Sequence, residues 1–284
     1  MRTYRLERRL SHADVDFLGE LKVAALLGLL EQAAVEASRE AGYDAARYTR
    51  EGRIWIIRRT RLRRLLPVGG IDTLSVETSV ADFRRARSLR RYVVRKGAVV
   101  VAEATTDWVY CDLASGRPAR IPDELQHAFV GSGANASLPR AESLRIDGSA
   151  GAVGLRLTVQ PSHLDHVTHV NNAVYANFIE DGAFALFAAR GWSLARMLAA
   201  GGAAGGALRI QWLDVEYLSD ALVGDELIVR SWLSAGAGLD APAEHPIAAT
   251  VVQLIGRADG RELLRAASEW VWRQKPAVVG GVPA

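Results

Sequence analysis

Two kinds of hydrophobic spacing follow one another along the chain, and the whole succession occurs twice. Tyr4 to Leu10 alternates polar and apolar residues, as a half-buried strand does. Ala24, Leu27, Leu30, Ala34 and Ala37 then recur at helical spacing and predict a helix of about five turns. Gly42 stops it, because glycine tolerates the left-handed conformation that closes a helix. Beyond that glycine the period changes to two, which predicts strands over Ile54–Leu65, Thr73–Val80, Ser88–Val94 and Val99–Cys111. The second succession opens with a strand over Gly154–Gln160 and a helix carrying Val174, Phe178 and Leu186, stopped by Gly191. Strands over Leu208–Tyr217, Leu227–Leu233, Ala248–Ile255 and Leu263–Trp272 complete it.

The two halves also share residues at fixed offsets. Asp16 in "DVDFLGELK" and Asp165 in "HLDHVTHVNN" are 149 apart, as are Glu31 and Glu180, and Gly42 and Gly191. The offset grows to 153 at Asp72 and Asp225, then to 162 where "ATTDWVY" meets "AASEWVW". Growing offsets mean loop insertions in the second copy, and the glycine-rich stretch around Gly201–Gly206 is a candidate. The chain reads as a tandem duplication. One helix with four or five antiparallel strands, twice over, is an α+β layer architecture, a double hotdog in which each curved sheet wraps its helix. The domains expected are residues 1–125, a Gly/Ser/Ala-rich linker over 126–152, and residues 153–284, the last carrying the chemistry.

Composition narrows the class. The 284 residues are 49% hydrophobic and 24% charged, a globular balance, and no apolar stretch approaches the roughly 20 residues of a membrane span. A single cysteine, Cys111, excludes an intrachain disulfide and a multi-cysteine metal site, and the address expected is cytoplasmic; with no metal-ligand spacing and no dinucleotide fingerprint in Gly201–Gly206, no metal and no cofactor is expected. A net charge of +3 argues against nucleic acid as a partner. Of the 35 basic residues, 32 are arginine, and they crowd Arg58–Arg64 and Arg84–Lys96. Strands cannot bury so many guanidinium groups, so most are expected in solvent, where they could meet an acidic carrier protein or the phosphates of coenzyme A.

The sharpest motif is "DHVTHVNNAVY", Asp165 to Tyr175. It resembles the "D-x-x-G-H-V-N-N-x-x-Y" loop of hotdog thioesterases, and the two-copy pattern is similar to that of the acyl-ACP thioesterase family over nearly the whole chain. The resemblance implies hydrolysis of an acyl thioester on acyl carrier protein. It carries the family's catalytic aspartate to Asp165, its histidine to His169, and its second acidic residue, usually glutamate, to Asp220. The family's asparagine falls on Val167, which has no amide, and its cysteine on Ala221. Asn171, Asn172 and Tyr175 complete the motif on the substrate side.

The chemistry agrees with that assignment. A thioester's leaving thiol, of pKa about 8.5, departs with little acid help, so a base and an oxyanion site suffice. His169 suits the base, a carboxylate would orient it, and Asn171 or Asn172 would cap a helix whose free N–H groups suit an oxyanion. The expected working pair is Asp165 and His169, with Asp220 orienting the histidine or the water. Asp165 itself could activate water or attack the carbonyl. Against these stand structural readings: Asp165 bonding its own loop, as its partner Asp16 would, and Glu31 and Glu180 as buried structural carboxyls. Other functions compatible with the fold are an acyl-CoA or aryl-CoA thioesterase, an enoyl-thioester hydratase and a non-catalytic acyl-binding protein. The sequence leaves a homodimer open.

Overall fold

The computed structural model describes residues 2–70, 72–130, 142–146, 151–200, 205–237, 239 and 244–274. Most of the expected linker (131–141 and 147–150) and part of the glycine-rich loop (201–204) lie outside the described residues.

The first half consists of β1 (Thr3–Arg9), α1 (Val23–Glu40), α2 (Ala45–Arg50), β2 (Arg53–Arg64), β3 (Thr73–Arg84), β4 (Arg87–Lys96), β5 (Val99–Asp112) and α3 (Asp123–Val130). The second repeats the order with β6 (Val153–Thr158), α4 (Val174–Ala189), α5 (Leu194–Ala199), β7 (Gly206–Tyr217), β8 (Glu226–Ala237), β9 (Ala248–Arg257) and β10 (Glu262–Gln274). All ten strands form one sheet in the order β1-β3-β4-β5-β2-β7-β10-β9-β8-β6. From either end, that order passes through equivalent strands of the two copies, so the chain is a double hotdog with an internal two-fold. The join is the antiparallel pair β2–β7, where Arg61 faces Asp214, its equivalent 153 residues on. The two-fold passes between them. Closing the sheet edge to edge here hides two strand edges that would otherwise be open to pairing with another chain.

Each long helix lies in the hollow of its half-sheet. α1 buries Val23, Leu26, Leu27, Leu30, Ala33, Ala34 and Ala37, a stripe at three- and four-residue spacing. α4 is more deeply enclosed, burying residues from Tyr175 to Phe187. Gly182 allows this closeness, since a side chain there would begin 2.4 Å from Val229 on β8. Gly42 and Gly191 both stand at φ +85°, as expected of residues that stop α1 and α4. The core is continuous across the join, running from Leu26 and Leu30 through Leu62 and Leu213 to Phe187 and Trp270.

Three short helices escape the period-two reading. α3 occupies Asp123–Val130, so residues 126–130 at the start of the expected linker are helical. Leu125 and Phe129 anchor it in a second cluster with Tyr43, Phe83 and Tyr110. Most of the clustered arginines reach solvent, as expected, but two do not. Arg64 and Arg90 are buried, at 6% and 5% exposure. Arg59 makes a two-pronged bond to Asp214 at 2.6 and 2.7 Å, and Arg58 pairs with Glu216. A buried guanidinium is tolerated when an acidic strand lies beside it, and "LDVEY" of β7 supplies Asp214 and Glu216 across the join. Arg90 instead lies over the ring of Phe129, its centre 5.4 Å away.

Candidate functional site

The loops before α1 and α4 are built alike. In the first, Asp16 Oδ1 accepts from the backbone N–H of Leu18 at 2.7 Å and of Glu20 at 3.1 Å. In the second, Asp165 Oδ1 accepts from Val167 at 2.9 Å and His169 at 3.3 Å. The main chain closes each loop identically, with Asp16 N–H donating to Glu20 O and Asp165 N–H to His169 O. Each aspartate therefore organises its turn through one oxygen, by the local side-chain-to-backbone bonding that favours this residue in turns. The two loops differ at the tip. Gly19 at φ +77° is matched by Thr168 at φ +67°, a conformation that strains a β-branched residue.

Beyond Asp165 the second loop carries a pair with no counterpart in the first copy. His169 Nε2 lies 3.4 Å from Asp220 Oδ2, and both side chains are about half exposed, at 45% and 49%. Asp220 sits in the turn after β7, beside Ala221, whose carbonyl accepts from Val170. The first copy has Glu20 and Pro67 at the equivalent positions. Of the expected trio, His169 and Asp220 thus face each other side chain to side chain, whereas Asp165 meets His169 through its backbone. Asn171 Oδ1 accepts from Ala173 N–H at 2.8 Å and caps the opening of α4. Asn172 O accepts from the Tyr217 hydroxyl at 3.1 Å. Tyr175 is buried, and burial raises its hydroxyl's pKa, with Asp220 adding to the effect. From Val167 to Val174 every backbone N–H has an acceptor except that of Asn172, which has none among the described residues.

The pseudo-equivalent position in the first copy is closed by charge. Arg64, equivalent to Tyr217, donates to Glu20 Oε2 at 3.0 Å. Arg209 on β7, 2% exposed, pairs with Asp16 Oδ2 and lies 3.2 Å from Glu180 Oε1. Two guanidiniums thus meet three carboxyls, and burial pushes Glu180 towards its protonated form, which balances the cluster. The groups are in contact but poorly aligned, for Asp16 Oδ2, Glu180 Oε1 and Arg209 Nε make no hydrogen bond of good geometry among the described residues.

Near the second loop the interior holds a small void instead. It lies between α1 and the first half-sheet, measures about 10 Å³ and reaches Asn172 and Ala173. Glu31, Thr60, Tyr92, Thr106, Trp108 and Tyr217 give it a polar wall, with Leu27, Leu30 and Ile57 between them. Burial raises the pKa of Glu31, and the charge of Asp165 across the two-fold raises it further. A carboxyl whose folded pKa is raised stabilises the fold below its unfolded pKa, and that contribution is lost as pH climbs through the folded value. Glu31→Gln should accordingly gain stability relative to wild type as pH rises from 4 to 8, read from unfolding midpoints across that range. A constant difference between the two proteins would show that Glu31 titrates as an ordinary surface carboxyl.

Pattern reading missed this void. Its signal was "T-x-W" at Thr106 and Trp108, repeated as "S-x-W" at Ser268 and Trp270, in strands otherwise read only for apolar spacing.

The fold defines the class, a double-hotdog protein. Residues 2–129 match the family model of the acyl-ACP thioesterase N-terminal domain. Solved structures agree in fold. A provisionally assigned oleoyl thioesterase from Lactobacillus plantarum is 16% identical with a TM-score of 0.77, over 97% of this chain and 98% of that one. An acyl-ACP thioesterase from Bacteroides thetaiotaomicron is 18% identical with a TM-score of 0.72, over 95% of this chain and 98% of that one. The 12:0-ACP thioesterase from Umbellularia californica has the same identity and TM-score, over 95% and 94%. No curated protein matches the chain. Among the described residues no helix is long and apolar enough to cross a membrane.

Proposed function

We propose that this protein hydrolyses an acyl thioester carried by acyl carrier protein, releasing the free acid and the holo-carrier, as a cytoplasmic enzyme of lipid metabolism. The observation that carries the reading is the unequal fate of two equivalent positions. One holds an exposed histidine facing a carboxylate; the other is sealed by arginines.

In this reading the His169 ring removes a proton from water as its oxygen attacks the thioester carbonyl carbon. Asp220 orients the ring and favours the imidazolium that forms. The N–H of Asn172, free among the described residues at the start of α4, donates to the carbonyl oxygen as negative charge builds there. The C–S bond then breaks, and the thiolate takes the proton from His169. Asp165 is a positioning residue in this scheme, since its Oδ1 holds the amides of Val167 and His169. Val167 lacks an amide side chain, and that position contributes only its backbone.

The experiment is release of free thiol from paired acyl-ACP and acyl-CoA substrates of equal chain length. The expected result is a kcat/KM higher on the carrier protein, with the advantage shrinking as salt is raised. Equal rates on coenzyme A at all salt concentrations would reassign the carrier. Absence of hydrolysis on either would end the enzymatic reading.

A further inference from the structure

We propose that the two loops flanking His169 and Asp220 form a seat for the pantetheine arm of the substrate's carrier, which lies in the gap between the Val167–Thr168 tip and the Leu222–Val223 turn. The inference rests on the hydrolytic reading above and assigns the side from which the thioester enters.

In the first copy the corresponding loops are zipped together. Leu21 N–H donates to Val68 O at 2.6 Å, a β-bridge joins Glu20 to Gly69, and Gly70 N–H donates to Gly19 O at 3.4 Å. Only glycine permits this approach, since a Cβ at Gly69 would collide with the Gly19 carbonyl oxygen. The second copy keeps the first of these contacts, Val170 N–H to Ala221 O at 3.0 Å, and then parts. Leu222 stands in place of Gly69, and Val223 in place of Gly70. Gly70 has φ +67°, a conformation valine resists, and in the second turn the positive φ falls one position later, on Gly224 at +84°. Among the described residues no bridge joins His169 to Leu222. The Val223 N–H and the Thr168 carbonyl, which correspond to the bonded pair of the first copy, make no hydrogen bond there either. Three apolar side chains border the parted loops in the open, Val167 at 39% exposure, Leu222 at 45% and Val223 at 54%. Leu18, the counterpart of Val167, is 3% exposed. Apolar surface gathered beside one polar pair marks a binding surface, unlike the same residues scattered singly.

The chemistry of the gap selects its occupant. A thioester whose carbonyl carbon reaches His169 must leave its bulky carrier outside, so the arm between them crosses the exposed border of the pair, which these loops form. That arm is an amide-bearing chain with a branched, methyl-bearing segment. Its amides match an open backbone donor and acceptor, as an added strand does at a sheet edge. Its methyl-bearing segment matches Val167, Leu222 and Val223. A phosphate finds no counter-charge here, because neither Asp165–Asn172 nor Ser219–Asp225 contains an arginine or a lysine.

The test places one acyl group on two leaving thiols, octanoyl on pantetheine and octanoyl on N-acetylcysteamine. The second keeps one amide of the arm and loses the branched segment. The pantetheine thioester should be favoured roughly tenfold or more in kcat/KM, since contacts remote from the reacting bond are open only to the full arm. Leu222→Ser combined with Val223→Ser should pull that ratio towards one. Hydrogen exchange gives a readout without turnover. S-octylpantetheine, a thioether that resists hydrolysis, should slow exchange of the Val223 N–H, and S-octyl-N-acetylcysteamine should slow it less. Equal kcat/KM on the two thioesters overturns the inference while thioester hydrolysis stands. So does unchanged Val223 exchange at a concentration of S-octylpantetheine that inhibits turnover. If neither thioester is hydrolysed, protection of Val223 by S-octylpantetheine supports the seat while the hydrolytic reading falls, and absence of protection overturns both.

Discussion

Replacing Arg209 with methionine should lower the stability of the fold by about 3–5 kcal/mol, the usual cost of stranding a buried charge. The side chain is 2% exposed and serves Asp16 from the first copy's loop and Glu180 on α4. Removing it leaves both carboxyls in the interior, with only Arg64 nearby to offset them. Urea unfolding midpoints measure the loss. Adding Asp16→Asn and Glu180→Gln to Arg209→Met should restore much of it, because the cost lies in the unpaired charge rather than in a lost attraction. An unfolding midpoint equal to that of wild type would mean that the cluster is solvated and is no seal.

His169→Gln should reduce kcat by a factor of roughly 10² to 10⁴, as loss of a positioned base does. Stability should stay within about 0.5 kcal/mol of wild type, since the side chain is half exposed and touches little. Asp165→Asn separates the two roles that remain for that residue. Its Oδ1 remains an acceptor for the amides of Val167 and His169, so the loop persists while the charge is gone. If Asp165 only positions the loop, kcat falls far less than in His169→Gln; a loss as large would give the carboxylate a chemical role. Full activity in His169→Gln would move the base elsewhere.

Much of this was legible in the residues. The repeat survives at offset 149 because both aspartates perform the same backbone bonding, which tolerates almost any residue between them except at the positive-φ tip. Gly42 and Gly191 persist for a related reason, since few residues accept φ near +85°. The seal was not legible. Arg209 sits between Leu208 and Ile210 in an apolar strand, and only the loop from the other half, remote in sequence, reveals what it pairs with. The pairing of Arg58 and Arg59 was hidden for the same reason, because the counts showed their charge and not the acidic strand beside them. α2 and α5 are only six residues each and too short to impose a period. The void was hidden because strand patterning separates apolar from polar positions and treats a buried tyrosine as core.

The sealed position also bears on what a single polypeptide can do that a pair of identical ones cannot. In a symmetric dimer of single hotdogs, every residue appears in both sites, so a change that opens a chamber in one copy opens it in the other and spends two interiors for each. Here the halves carry separate codons. The first carries Glu20 where the second carries His169, and Arg64 clamps it. Titration with a tight inhibitor should count one occupied site per chain. A change at Glu20 or Arg64 would then leave His169 and Asp220 untouched, which a symmetric assembly of identical chains could never permit.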